Sequence, residues 1–139
     1  MHNLEALYLR HNQLPEFPTE VIKNNRIWHL GLGGNRLIVF LSDVAGLEGL
    51  TGIDLSSNHL KSVPSFVTKL KGLEDLNLSG NSLTEIPTMI FKLHELLILD
   101  LQRNNLWELP PAISELNKLE MLRLSSNQLR KPPEEISQL

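Results

Sequence analysis

The stretch LRLSSNQL fills residues 122–129, and IDLSSNHL at 53–60 is nearly the same phrase. LNLSGNSL at 76–83 keeps the same frame. A period explains the likeness. Asparagine stands at Asn12, Asn35, Asn58, Asn81, Asn104 and Asn127, each 23 residues after the last. A leading apolar residue keeps step at Leu4, Ile27, Leu50, Leu73, Leu96 and Leu119. Positions four, six and eleven hold Leu or Ile in every copy, as in Leu76, Leu78 and Leu83. The phrase is LxxLxLxxNxL, six times in phase. Self-similarity at such a period is the mark of a stacked repeat, in which each unit buries its apolar side against its neighbours.

The back half of the unit repeats too. Pro recurs at Pro18, Pro64, Pro87, Pro110 and Pro133, with Leu41 in its place in the second copy. Val21, Val44, Val67, Ile90, Ile113 and Ile136 follow three residues later. Leu47, Leu70, Leu93, Leu116 and Leu139 come three further on, Asn24 being the exception.

Period-two alternation around positions four and six predicts a half-buried strand. The PxxIxxL segment, apolar at i and i+3, predicts a short α or 3₁₀ segment with Pro at its first helical position. Each segment returns the chain to start a strand beside the last, so the strands are parallel. The turn after each strand leaves backbone groups in need of partners. An Asn amide has both a donor and an acceptor to satisfy them, so the six Asn read as a structural ladder.

The whole pattern resembles the leucine-rich repeat family. The 23-residue length and the (L/I/V)PxxIxxL tail are similar to the intracellular, Ras-associated subclass typified by scribble- and erbin-type proteins. That resemblance implies an α/β, right-handed solenoid. Six short parallel strands would line its concave face and short α or 3₁₀ segments its convex side. It also implies a role in binding other proteins. The repeats divide as 4–26, 27–49, 50–72, 73–95, 96–118 and 119–139, one domain read as an excerpt of a longer array. The second unit, RLIVFLSDVAGL, departs from the family tail, and Ile38, Val39 and Leu41 are expected to leave an apolar spot there.

Composition narrows the function. A net charge of −3 argues against nucleic acid, whose binding needs a Lys/Arg excess. No apolar run approaches the roughly 20 residues that cross a bilayer, so membrane insertion is not expected. With no cysteine there is no thiolate metal site, and a reducing, cytoplasmic setting fits best. The five His fall at unrelated phases of the repeat, and GLGG at 31–34 is the frame with Gly in variable slots. His29, Asp54 and Ser56 could be imagined as a Ser/His/Asp set, yet nothing in the sequence supplies an oxyanion hole. No catalytic residue, metal or cofactor is expected.

Positions three, five and seven of each strand point away from the core, and three features stand out there. Asp54, Asp75 and Asp100, with Asn77 and Arg123, occupy the centre and suggest a negative field suited to a basic partner. Ile98 and Met121 are apolar where the frame is otherwise polar, a sign of contact. Tyr8, Arg10, Trp28 and His29 gather the residue types enriched at interface hot spots. Gly31, Gly33, Gly34 and Gly52 beside them read as a saddle free of side chains. Trp107, just past an Asn, reads as rim cover. The expected function is a non-catalytic module that binds a protein on its concave face. Two rivals stand beside it. One is the recruiting part of a larger kinase, GTPase, ubiquitin ligase or bacterial effector; the other is a repeat that self-associates through uncapped ends.

Overall fold

A computed structural model describes residues 3–23, 26–38, 40, 46–131 and 134–138. The alternating phrase forms a three-residue strand in each of the six units. β1 is Ala6–Tyr8, β2 His29–Gly31, β3 Gly52–Asp54, β4 Asp75–Asn77, β5 Ile98–Asp100 and β6 Met121–Arg123. They lie side by side in chain order in one sheet. Every pairing is parallel and advances 23 residues, so Leu7, Leu30, Ile53, Leu76, Leu99 and Leu122 stack in one row. The ladder continues past the strands, as in the 2.8 Å bond from Leu32 N–H to the Asp54 carbonyl.

The inward rows are dry. Leu30, Leu76, Leu99, Leu32, Leu55, Leu78 and Leu101 are fully buried. Each such side chain contributes about 1.5–3 kcal/mol relative to exposure. In the outermost units Leu4, Leu7, Leu9, Leu119, Leu122 and Leu124 are only partly buried, being packed from one flank. Phe66 and Phe91 fill the side of the core opposite the sheet. The Phe17 and Phe40 rings lie 5.5 and 6.0 Å from Phe66, tying the first three units together.

The return segments are 3₁₀ turns at Thr19–Lys23, Ser65–Lys69, Thr88–Lys92, Pro111–Glu115 and Glu134–Gln138. The spacing explains the choice. Val67 and Leu70, three apart, are both fully buried, and three residues per turn superposes them on one face. The sequence expectation for proline needs correction. Pro64, Pro87 and Pro110 are not the first helical residues but stand just before them, in extended backbone with ψ of 133°, 134° and 144°. There each proline carbonyl accepts the first turn's N–H, from Val67, Ile90 or Ile113 at 3.0 Å. Of the apolar spot expected in the second unit, Ile38 is 78% exposed. Val39 and Leu41 lie outside the described residues.

The asparagines carry the turns. Asn58, Asn81 and Asn104 each donate from Nδ2 to carbonyls of their own and the preceding unit and accept a leucine N–H of the preceding unit on Oδ1, and Asn81 accepts the Asn58 N–H as well. The Asn81 Nδ2 donates to the carbonyl of Leu78 in its own unit (2.9 Å) and of Leu55 in the unit before (3.0 Å). Its Oδ1 accepts the N–H groups of Asn58 (3.0 Å) and Leu60 (2.9 Å). Asn35, Asn58, Asn81 and Asn104 are buried, whereas Asn127 is half-buried and Asn12 exposed. The residue before each Asn is left-handed in all six units. Only Gly34 and Gly80 are glycine there; His11, Ser57, Arg103 and Ser126 take φ of 51–60° without that freedom.

Candidate functional site

The sheet's outer face is built from two strand rows. One runs Ala6, His29, Gly52, Asp75, Ile98, Met121, and the next Tyr8, Gly31, Asp54, Asn77, Asp100, Arg123. At ~4.8 Å per strand the face is about 25 Å long. All the outward residues singled out from the sequence therefore share it, apart from Trp28 and Arg10, which flank the strands.

The glycines do not leave an open saddle. A Cβ at Gly31 would lie 2.7 Å from the Tyr8 ring, and one at Gly33 would lie 2.7 Å from the Asp54 carboxylate and 2.5 Å from the Ser56 hydroxyl. At Gly52 a Cβ would strike the His29 ring. The missing side chains are space already taken by neighbours that lean across the sheet. One consequence is an ion pair that skips a strand: Arg10 Nε reaches over β2 to Asp54 Oδ2 at 2.7 Å. Arg10 also lies over the Tyr8 ring, its guanidinium carbon 5.7 Å from the centroid. The His29 ring stands 5.3 Å from Tyr8 and 5.7 Å, edge-on, from Trp28. Tyr8 and Trp28 remain about half exposed. The aromatic cluster read from the sequence is thus one contiguous wall.

The three aspartates that the sequence groups as one negative field are not equivalent. Asp54 and Asp100 are both buried and both paired. Asp100 Oδ2 meets Arg123 Nη1 at 3.2 Å. Each also caps its own strand end: the Oδ1 of Asp54 accepts the Ser56 N–H at 2.9 Å, and that of Asp100 the Gln102 N–H at 3.0 Å. Asn77 does the same for Ser79, at 3.0 Å. This second, outer ladder was missed in the sequence, although Asp-Leu-Ser, Asn-Leu-Ser and Asp-Leu-Gln at 54–56, 77–79 and 100–102 carry its signal.

Asp75 differs. Among the described residues no hydrogen bond or ion pair reaches its half-buried carboxylate. Burial raises its pKa above the ordinary value; His29 pulls it back, Asp54 pushes it up, Arg123 lowers it and Asp100 raises it. It lines a depression of about 270 Å³ with Arg10, His29 and Asp54 at one end and Asp100 and Arg123 at the other. Asn77, Ile53 and Ile98 complete the lining. Ile98 is half-buried beside it, and Met121 is 40% exposed on the next strand. A smaller hollow of about 190 Å³ lies among Ser57, Ser79, Gly80, Gln102 and Arg103. The N–H groups of Ser57, Gly80 and Arg103 are spent on the ladder, so it offers no anion nest. Trp107 stands off the sheet rows and is 46% exposed.

The imagined Ser/His/Asp set does not assemble. Asp54 is engaged by Arg10 and the Ser56 backbone, and no bond joins Ser56 to His29 among the described residues. Nor do the described residues group three His, Cys, Asp or Glu side chains around a metal position, and none of their helices is long and apolar enough to cross a membrane.

Comparison with known proteins agrees with this geometry. Residues 71–129 match the family described as "Leucine rich repeat", and residues 48–90 match "Leucine Rich repeats (2 copies)". The chain is a leucine-rich repeat solenoid. Its backbone superposes on the leucine-rich repeat protein LIC12759 of Leptospira interrogans with a TM-score of 0.89 and 33% identity, covering 99% of this chain and 35% of that one. An internalin (inlF) of Listeria monocytogenes gives a TM-score of 0.74 at 25% identity, over 96% of this chain and 38% of the other. The chain thus spans little more than a third of those proteins. No curated protein sequence matches it. The leucine-rich repeat is a non-catalytic interaction fold that commonly mediates protein–protein contact, and solenoids of this kind offer extended concave binding surfaces.

Proposed function

We propose that this solenoid is a recognition module that binds a basic protein partner on its concave face. The observation that carries the reading is the outer sheet face itself. Leu and Asn hold the fold from inside, and Tyr8, Trp28, His29, Asp75, Ile98 and Met121 are presented outside at fixed spacing. A face ordered before binding loses little conformational entropy on association. The aromatic wall at one end and the Ile98–Met121 pair at the other supply anchors, and the Asp75 depression between them supplies the charge. The subclass we propose is the intracellular, Ras-associated one, on the 23-residue period and the PxxIxxL tail. A photo-crosslinking amino acid tests the face. Placed at Met121, it should trap a protein from cell extract in higher yield than at Met89 or Ile38. Equal yields at all three positions reject concave-face binding.

A further inference from the structure

We infer that the depression around Asp75 seats one cationic side chain, lysine or arginine, of the partner, with Asp75 as its counter-ion. The inference rests on the concave-face reading above and specifies the residue that enters it. Three observations converge. First, the charges of the face are sorted: Arg10 satisfies Asp54 across β2 and Arg123 satisfies Asp100 on the adjacent strand, leaving Asp75, among the described residues, as the carboxylate of this face without a protein cation in contact. Second, that carboxylate is half-buried in a hollow of about 270 Å³, room for one long side chain. Third, the row neighbours leave the carboxylate unpaired: Gly52 precedes Asp75 and Ile98 follows it, so neither brings an ammonium or guanidinium to it, and the His29 ring that leans over Gly52 makes no ion pair with it.

The energetics favour an incoming cation over water. A carboxylate partly removed from solvent is destabilised until a charge-assisted bond replaces its hydration. The elevated pKa of Asp75, caused mainly by that burial, is the same effect seen from the proton's side. The half-buried Ile98 and the polar Asn77 in the lining suit a side chain with an aliphatic stem and a charged head. The Arg10–Asp54 and Arg123–Asp100 pairs at either end of the hollow neutralise one another, so the unpaired Asp75 carboxylate sets the sign of charge the hollow favours.

A random linear peptide library displayed on phage tests this with the whole chain as bait. Selected peptides should carry Arg or Lys at one fixed position. They should bind Asp75→Asn at least tenfold more weakly, with affinity retained in Asp75→Glu, and they should lose binding to Met121→Glu. Replacing the selected cation by the other one, then by norleucine, tells arginine from lysine and either from an apolar anchor. Peptides that lack a cation and are sensitive to Met121→Glu but not to Asp75→Asn overturn the inference and leave concave-face binding standing. Peptides indifferent to both variants, or no enrichment, also overturn it; the crosslinking yields then decide the broader reading on their own. Thermal unfolding of Asp75→Asn checks that the fold is intact.

Discussion

Replacing Asn81 by leucine removes one rung of the inner ladder and nothing else of comparable size. The Asn81 Oδ1 is the acceptor for two buried N–H groups, those of Asn58 and Leu60. Leucine accepts neither, and each orphaned donor costs about 1–3 kcal/mol. The carbonyls that Asn81 serves suffer less, since Leu55 still accepts from Asn58 and Leu78 from Asn104. The expected loss is therefore about 2–6 kcal/mol, a large part of the 5–15 kcal/mol typical of a domain. With a urea m-value of about 2 kcal/mol/M, the midpoint should fall by roughly 1–3 M. Asn12→Leu is the internal control. Asn12 is exposed and, among the described residues, donates to Leu9 and Arg10 of its own turn alone, so its loss should be about 1 kcal/mol or less. Urea unfolding followed by circular dichroism measures both. Equal shifts for the two variants would refute the ladder argument.

Other expectations follow from single features. Asp75→Asn should raise stability at pH 7, because the folded-state pKa of Asp75 is raised and its ionisation opposes folding. Its stabilising share is complete below the ordinary carboxylate range and is lost as pH rises through the folded value. The variant's advantage should therefore vanish below about pH 4 in thermal melts taken across pH. Gly80→Ala should cost about 1–2 kcal/mol, since φ is +64° and a Cβ would lie 2.9 Å from the Ser57 hydroxyl. Arg103→Gly at the equivalent position, where φ is 53°, should be neutral or stabilising by up to about 1 kcal/mol in the same urea assay. Arg10→Met should lower stability by about 1–3 kcal/mol by leaving the buried Asp54 carboxylate with the Ser56 N–H alone.

The inner half of this molecule was legible because repetition is visible in letters. Leu76, Leu78 and Asn81 are buried where the period places them, and the strands pair at the 23-residue register it implies. The outer half was less legible because it depends on side chains leaning between units. Nothing in the spacing of Arg10 and Asp54 shows that they meet across β2; that contact needs Gly31 and Gly33 to be flat, and in a line of letters those glycines look like empty space. Likewise Asp54, Asp75 and Asp100 look alike in a line of text. Their positions in the strand separate them, since position five faces the backbone N–H of position seven and position three does not. The proline error has the same root: a residue that suits the first helical position suits the one before it, and only the backbone angle distinguishes them.

Affinity for the protein trapped at Met121 tests the central claim most directly, measured by calorimetry on matched surface variants. Tyr8→Ala and Met121→Glu on the sheet face should each weaken binding at least tenfold with unchanged melting temperature. Ile38→Glu and Met89→Glu, also exposed but off that face, should leave it within twofold. The reverse pattern, with loss at Ile38 or Met89 and none at Tyr8 or Met121, would contradict recognition by the concave sheet.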